Sequence, residues 1–119
     1  YYLALAGYKV TVFEKENYLG GMLRYGLPRF RMNHEVLDNE INLLKHYGIE
    51  FVTGKGLGRD ITVDSLKSEG YSAVYIGIGA QEGQSLNIPG EQAEGVYPAI
   101  SFLKSVYDGK TSNVQKKFI

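Results

Sequence analysis

An acidic residue directly after an apolar segment is the first feature of this sequence that could do chemistry. Residues 10–13 read Val-Thr-Val-Phe, a short β-branched and aromatic run typical of a buried strand, and Glu14 follows it. A carboxylate there can accept hydrogen bonds from the two hydroxyls of a ribose. Gly20 and Gly21 carry no Cβ, so backbone can approach a flat or charged ligand closely. The alternative is a strand with a solvated end, followed by a plain glycine turn.

The elements around Glu14 fit part of a strand–helix–strand unit that binds dinucleotides. Residues 1–6 are predicted to be the end of a helix that stops at Gly7, and residues 10–14 the second strand of the unit. The first strand and its glycine-rich phosphate turn would then lie upstream of Tyr1. We therefore predict an α/β fold, a Rossmann-like three-layer domain that is incomplete because that strand and that turn are missing.

The rest of the chain alternates predicted helices and strands. Apolar periodicity and capping residues predict helices at 34–47, 63–69 and 98–109, and strands at 49–53 and 72–78. Residues 16–32 are predicted to be a loop whose arginines, Arg24, Arg29 and Arg31, meet an anionic ligand. The alternative is a solvated loop with arginines that lie along its surface.

Composition narrows the function classes. The chain has 119 residues, a formal net charge of zero and no cysteine. Balanced charge gives no electrostatic case for nucleic acid or an anionic membrane, and no apolar run is long enough to span one. Without cysteine, this segment can hold no disulfide, no cysteine-ligated iron–sulfur cluster and no redox dithiol. His34 and His46 have no metal-ligand pattern and are predicted in surface or capping roles.

Several segments together resemble the small subunit of bacterial NADPH-dependent glutamate synthase and its relatives. These relatives include the flavin module of dihydropyrimidine dehydrogenase and the electron-bifurcating ferredoxin:NADP oxidoreductase subunit. The similarity runs to about Lys110. The segments are Val-Thr-Val-Phe-Glu-Lys at 10–15, Gly-Gly-Met-Leu-Arg-Tyr-Gly-Leu-Pro at 20–28, Phe-Arg-Met at 30–32, Tyr-Ile-Gly-Ile-Gly-Ala at 75–80 and Ile-Pro-Gly-Glu at 88–91.

The resemblance implies a domain assignment and a set of cofactor-binding residues. Residues 1–109 would be a partial FAD-binding domain, and residues 110–119 a linker toward a missing NAD(P)H-binding domain. Glu14 matches the acid that holds the adenosine ribose of FAD, and Gly21 the glycine beside the flavin nucleotide. The expected cofactor-binding residues are Glu14, Lys15, Gly21, Leu23, Arg31, Leu57, Gly79 and Ala80. Neither glycine-rich phosphate turn is present, so we do not expect this segment alone to bind FAD tightly.

The resemblance also implies a function for the parent protein. It would be an FAD-dependent oxidoreductase that passes electrons from NADPH, bound by the missing domain, through FAD to iron–sulfur clusters elsewhere. A cytoplasmic location, an iron–sulfur domain or large-subunit partner, and an oligomer that fills the missing strand position are expected. No residue here is assigned to catalysis or to a metal. The alternatives are a non-redox Rossmann-like nucleotide-binding domain, or a non-binding segment with a structural role.

Overall fold

The computed structural model describes residues 1–110, which form a small α/β arrangement. Most of the predicted linker at 110–119 lies outside the described residues. Within them, short helices alternate along the chain with one pair of strands. The elements are α1 (Tyr2–Leu5), β1 (Thr11–Glu14), α2 (Gly21–Tyr25), α3 (His34–His46), β2 (Glu50–Thr53), α4 (Val63–Ser68) and α5 (Ala99–Tyr107).

β1 and β2 pair in parallel, in a register that places Thr11 opposite Glu50 and Glu14 opposite Thr53. Parallel neighbours require a long connection from the end of one strand to the start of the next, and α2 and α3 lie within it. The carboxyl ends of both strands therefore lie at the same edge of the sheet. The backbone N–H of Lys55 extends the pairing past β2 by donating to the carbonyl of Glu14 at 2.9 Å.

The predicted α3 is confirmed, and its sequence explains its limits. The Asn33 side chain accepts a hydrogen bond from the backbone N–H of Glu35 at 2.9 Å, which satisfies one of the free donors of the first turn. Leu37 points inward and is 8% exposed. The helix is followed by Ile49, which is 5% exposed and leads directly into β2.

The other two predicted helices are also present. α4 begins with a reciprocal capping arrangement, in which Thr62 and Ser65 each bond the backbone N–H of the other at 3.0 Å. α5 begins immediately after Pro98, which has no N–H to leave unpaired at a helix start. The end of α5 at Gly109 is as predicted, with the glycine at a φ of 71°.

The prediction of a loop across residues 16–32 is partly wrong, because α2 occupies Gly21–Tyr25. The two glycines before the helix suggested continuous loop, but the residues that follow them are good helix formers. α2 packs against α3 and α5, and this tertiary packing favours a helix that is too short to be stable by itself.

The prediction of a strand at 72–78 is wrong for this structure, which shows no strand in that segment. Tyr75 is 91% exposed and Ile78 is 68% exposed. A strand is stabilised by pairing with a neighbour, and β1 pairs with β2 alone among the described residues. The segment therefore contains strand-forming residues but has no strand to pair with. The observed sheet is smaller than the predicted one for this reason.

No helix within residues 1–110 combines the length and the apolar character that crossing a bilayer requires.

Candidate functional site

The carboxylate of Glu14 lies at the carboxyl end of β1 and is held from one side. Its Oε1 accepts a hydrogen bond from the backbone N–H of Glu16 at 2.9 Å. Its Oε2 has no hydrogen-bond partner within residues 1–110. One oxygen is thus fixed by the backbone, and both retain lone pairs that can accept from a ligand. This geometry suits recognition of neighbouring hydroxyl groups.

The loop after β2 forms the second wall beside Glu14. The backbone N–H of Gly56 donates to Asp60 Oδ2 at 2.8 Å, and Arg59 pairs with the same oxygen at 2.7 Å. These bonds to Arg59 and to Gly56 hold the pKa of the Asp60 carboxyl below its usual value. Leu57 in this loop is 41% exposed and forms a single parallel bridge with Ile61. The loop is therefore closed on itself and presents an apolar side chain outward.

Lys15 belongs to the same edge of the sheet. Its Cβ lies 3.5 Å from the position that a Cβ on Gly56 would take, so the start of the loop after β2 sits against it. The Lys15 side chain is exposed. The structure therefore brings Glu14 and Lys15 together with the loop that carries Leu57, which are three of the eight predicted cofactor-binding positions.

Gly20 and Gly21 are adjacent in sequence but differ in their surroundings. Gly20 has a φ of 117°, and a Cβ there would lie 2.7 Å from Leu37 Cδ2. Gly21 has a φ of 48°, and a Cβ there would meet no atom within 4 Å. A side chain at Gly20 would crowd Leu37 of α3. Gly21 has open space around the position of an added Cβ.

The other four predicted positions are accessible but separate from Glu14. Leu23 is 47% exposed, and Arg31 and Ala80 are also exposed. Gly79 has a φ of 66°. Within residues 1–110, no hydrogen bond, ion pair or aromatic contact joins any of these four residues to Glu14. The structure does not assemble the eight positions into one enclosed site.

Arg24 is a structural residue in this fold, and the prediction that it meets an anionic ligand is wrong for it. It is 4% exposed, and its guanidinium pairs with Asp38 and donates to the carbonyl of Leu19. It also lies over the ring of Tyr18, 5.7 Å from the ring centre. A buried guanidinium with these partners holds the loop before α2 onto α3.

A group of aromatic and charged residues between α2 and α5 was not found by the sequence analysis. We call it the tyrosine cluster. Its members are Tyr18, Tyr25, Tyr107, His34 and Lys104. The rings of Tyr25 and Tyr107 are 4.7 Å apart in an edge-to-face arrangement. Tyr18, Tyr25 and His34 are far in sequence from Lys104 and Tyr107, so no local spacing could have revealed the cluster.

His34 is the one imidazole in the tyrosine cluster. Its ring lies 5.5 Å from that of Tyr107, and its Nε2 is buried without a hydrogen-bond partner among residues 1–110. Burial, followed by the positive charges of Arg24 and Arg29, holds the pKa of the His34 imidazole below its usual value. His34 is partly exposed at the first residue of α3, which agrees with a surface position, and its ring also contacts Tyr107.

Two open pockets lie beyond the carboxyl ends of the strands, the edge where open α/β sheets bind ligands. One, of about 240 Å³, lies between the end of β2 at Thr53 and α3. The other, of about 440 Å³, lies between the segment after β1 and α5, with Tyr25 and Lys104 in its wall. None of the eight predicted cofactor-binding residues lines either pocket.

Comparison with known proteins relates the chain to one group of enzymes. No protein-family model matches it. The glutamate synthase (NADPH) small chain of Mycobacterium tuberculosis (strain CDC 1551 / Oshkosh) is 42% identical over 101 residues, 85% of this chain and 20% of the relative. The corresponding small chain of Bacillus subtilis (strain 168) is 42% identical over 98 residues, 82% of this chain and 20% of the relative.

A third relative extends the match along the chain. The NADPH–Fe(3+) oxidoreductase subunit beta of Geobacter sulfurreducens (strain DL-1 / KN400) is 32% identical over 124 aligned residues, which span 100% of this chain and 18% of the relative. The chain is homologous to a segment of the glutamate synthase small chains and related NADPH oxidoreductase subunits. The predicted resemblance is confirmed. The chain spans about a fifth of the length of these relatives.

The residues present fit one end of the FAD that the resemblance implies. The free oxygen of Glu14 provides the acceptor chemistry that a ribose needs, and the open space at Gly21 admits a bulky group. The five-residue α2 follows the Gly20–Gly21 pair rather than a Gly-x-Gly-x-x-Gly turn, so the fit at Glu14 is to the adenosine ribose rather than to the pyrophosphate.

Proposed function

We propose that this chain is part of an FAD-dependent oxidoreductase that passes electrons from NADPH through FAD to iron–sulfur clusters. The observation that carries the proposal is Glu14, an acid at the carboxyl end of a parallel strand with one carboxylate oxygen held by the backbone and the other free. The homology to enzymes named for NADPH supports the redox assignment. On this proposal residues 1–109 belong to a Rossmann-like FAD-binding domain, and NADPH is bound elsewhere in a longer polypeptide.

The residues of this chain would bind and orient the cofactor rather than react. Glu14 would accept hydrogen bonds from the ribose hydroxyls, while Lys15 and Leu57 would flank the adenosine from the adjoining loop. Gly21 would leave room for the nucleotide. Leu23, Arg31, Gly79 and Ala80 are proposed as further cofactor contacts. When bound, FAD supplies the redox chemistry, since a flavin can accept a hydride and release electrons one at a time.

The proposed partners follow from the electron path. A relative named as a small chain implies a larger partner, and we propose an iron–sulfur-containing subunit or domain as the acceptor. Another relative is named for Fe(3+), so the final acceptor differs within the group. We place the protein in the cytoplasm, and we retain as a proposal that a second copy fills the strand position beside β1.

The proposal is tested by flavin binding in the full-length polypeptide that carries this segment. We expect the purified protein to show flavin absorbance, and we expect Glu14→Ala to weaken FAD binding. Hydrogen bonds to a charged group contribute about 1.5–3 kcal/mol, so the dissociation constant should rise roughly ten- to a hundred-fold. Glu14→Gln keeps an oxygen for the Glu16 N–H and separates loss of charge from loss of local order.

Glu50→Ala is the matched control, since Glu50 is an acid at the opposite end of the same strand pair. It should leave FAD affinity unchanged. A full-length protein that binds no flavin would contradict the proposed function, whereas flavin binding that Glu14→Ala leaves unchanged would contradict only the role of Glu14.

A further inference from the structure

We infer that Lys104 of α5 is a positioning residue for the Glu14 carboxylate, acting through Glu16. This inference rests on the proposed function, because it assigns a role at the same FAD site. It goes beyond it by naming two residues, Glu16 and Lys104, that are outside the predicted cofactor-binding set. It also links the ribose-binding edge of the sheet to the last helix of the described chain.

Glu16 joins three parts of the fold through three separate groups. Its backbone N–H donates to Glu14 Oε1 at 2.9 Å, and its carbonyl accepts from the backbone N–H of Gly54 at 3.1 Å. Its side-chain Oε1 lies 2.5 Å from Lys104 Nζ. The same residue thus bonds the Glu14 carboxylate, ties the end of β1 to the loop after β2, and pairs with Lys104 of α5.

The ion pair between Lys104 and Glu16 is partly shielded from water, and the Lys104 ammonium also contacts Tyr25. The side chains of Glu16 and Lys104 are 26% and 39% exposed. The ammonium of Lys104 also lies 5.6 Å from the centre of the Tyr25 ring. Both contacts restrict where the ammonium can go. A charge held in this way restrains Glu16, and hence the N–H group that orients Glu14.

Lys104 is not the residue that docks α5. The edge-to-face contact between Tyr107 and Tyr25 is formed by other side chains, and it holds the same helix against α2. Removing the ammonium should therefore leave α5 in place while it releases the Glu16 side chain. A positioning role and a packing role then predict different results.

The experiment measures the FAD dissociation constant of full-length variants by flavin fluorescence. Lys104→Gln, which keeps much of the stem over Tyr25, should raise it roughly two- to five-fold, the range expected for a partly exposed ion pair. Lys104→Arg should restore near wild-type affinity. Lys110→Ala, which removes an exposed lysine that pairs with Asp108 at 3.3 Å just beyond α5, should have no effect.

A double-mutant cycle separates positioning from general structure. If Lys104 acts through Glu14, Lys104→Gln should weaken FAD binding no further in a Glu14→Ala background. Additive losses, or a wild-type affinity in Lys104→Gln, would overturn the inference. If Glu14→Ala itself leaves FAD binding unchanged, the assigned role of Glu14 fails and this inference fails with it. A loss in Glu14→Ala with no loss in Lys104→Gln would overturn the positioning role alone.

Discussion

Gly20 and Gly21 should respond very differently to alanine, although they are adjacent and both have positive φ. At Gly20 the φ of 117° lies outside the left-handed region that L residues visit, and the added Cβ would lie 2.7 Å from Leu37 Cδ2. At Gly21 the φ of 48° lies near that region, and the added Cβ would meet nothing within 4 Å. The first substitution combines backbone strain with a clash, and the second introduces strain alone.

The magnitudes follow from these two terms. Backbone strain costs about 1–2 kcal/mol at either glycine. Overpacking against the buried Leu37 adds about 1–3 kcal/mol at Gly20. We therefore expect Gly20→Ala to destabilise the contact of α2 with α3 by about 2–5 kcal/mol, and Gly21→Ala by about 1–2 kcal/mol.

Hydrogen exchange of the amides in α3 is the appropriate assay, because it reports local opening within a larger protein. Gly20→Ala should accelerate exchange about thirty-fold or more, and Gly21→Ala about five- to thirty-fold, with the effect of Gly20→Ala clearly the larger. FAD affinity, corrected for the folded fraction, should fall more in Gly21→Ala than in Gly20→Ala, because Gly21 is the proposed cofactor contact. Equal acceleration by the two variants would refute the assignment of Gly20 to packing.

Two further predictions concern stability. Thr62→Ala removes the cap of α4 and should lower the free energy of unfolding of that helix by about 1 kcal/mol. The loss should be measured as faster amide exchange in α4, and the control Ser68→Ala should not accelerate this exchange. For His34, whose pKa is lowered in the fold, the unfolded state binds a proton that the folded state does not, so stability should fall as the pH drops from about 6.5 toward the folded pKa. Arg29→Gln should raise that pKa in an NMR titration of the imidazole, and an unchanged pKa would contradict the assigned cause.

Local signals in the sequence predicted local structure. Asn33 and Thr62 each cap a helix within three residues of themselves, so the starts of α3 and α4 could be read directly. The prediction of a strand at 72–78 was wrong, because a strand forms only where it pairs with a distant neighbour and composition alone does not show whether that neighbour is present. The tyrosine cluster could not be predicted for the same reason, because the contact between Tyr25 and Tyr107 joins residues that are distant in sequence.

The location of the candidate site was more predictable than its contacts. A parallel pair joined by a crossover helix places the carboxyl ends of β1 and β2 at one edge, and Glu14 had to lie there once residues 10–14 formed a strand. One oxygen of its carboxylate accepts a hydrogen bond from the Glu16 N–H, and the Glu16 side chain pairs with Lys104, which is 88 residues away in sequence. An ion pair over that separation leaves no periodic pattern, because only the folded chain brings its members together. Topology thus fixes where the acid lies, and long-range pairing fixes how it is oriented.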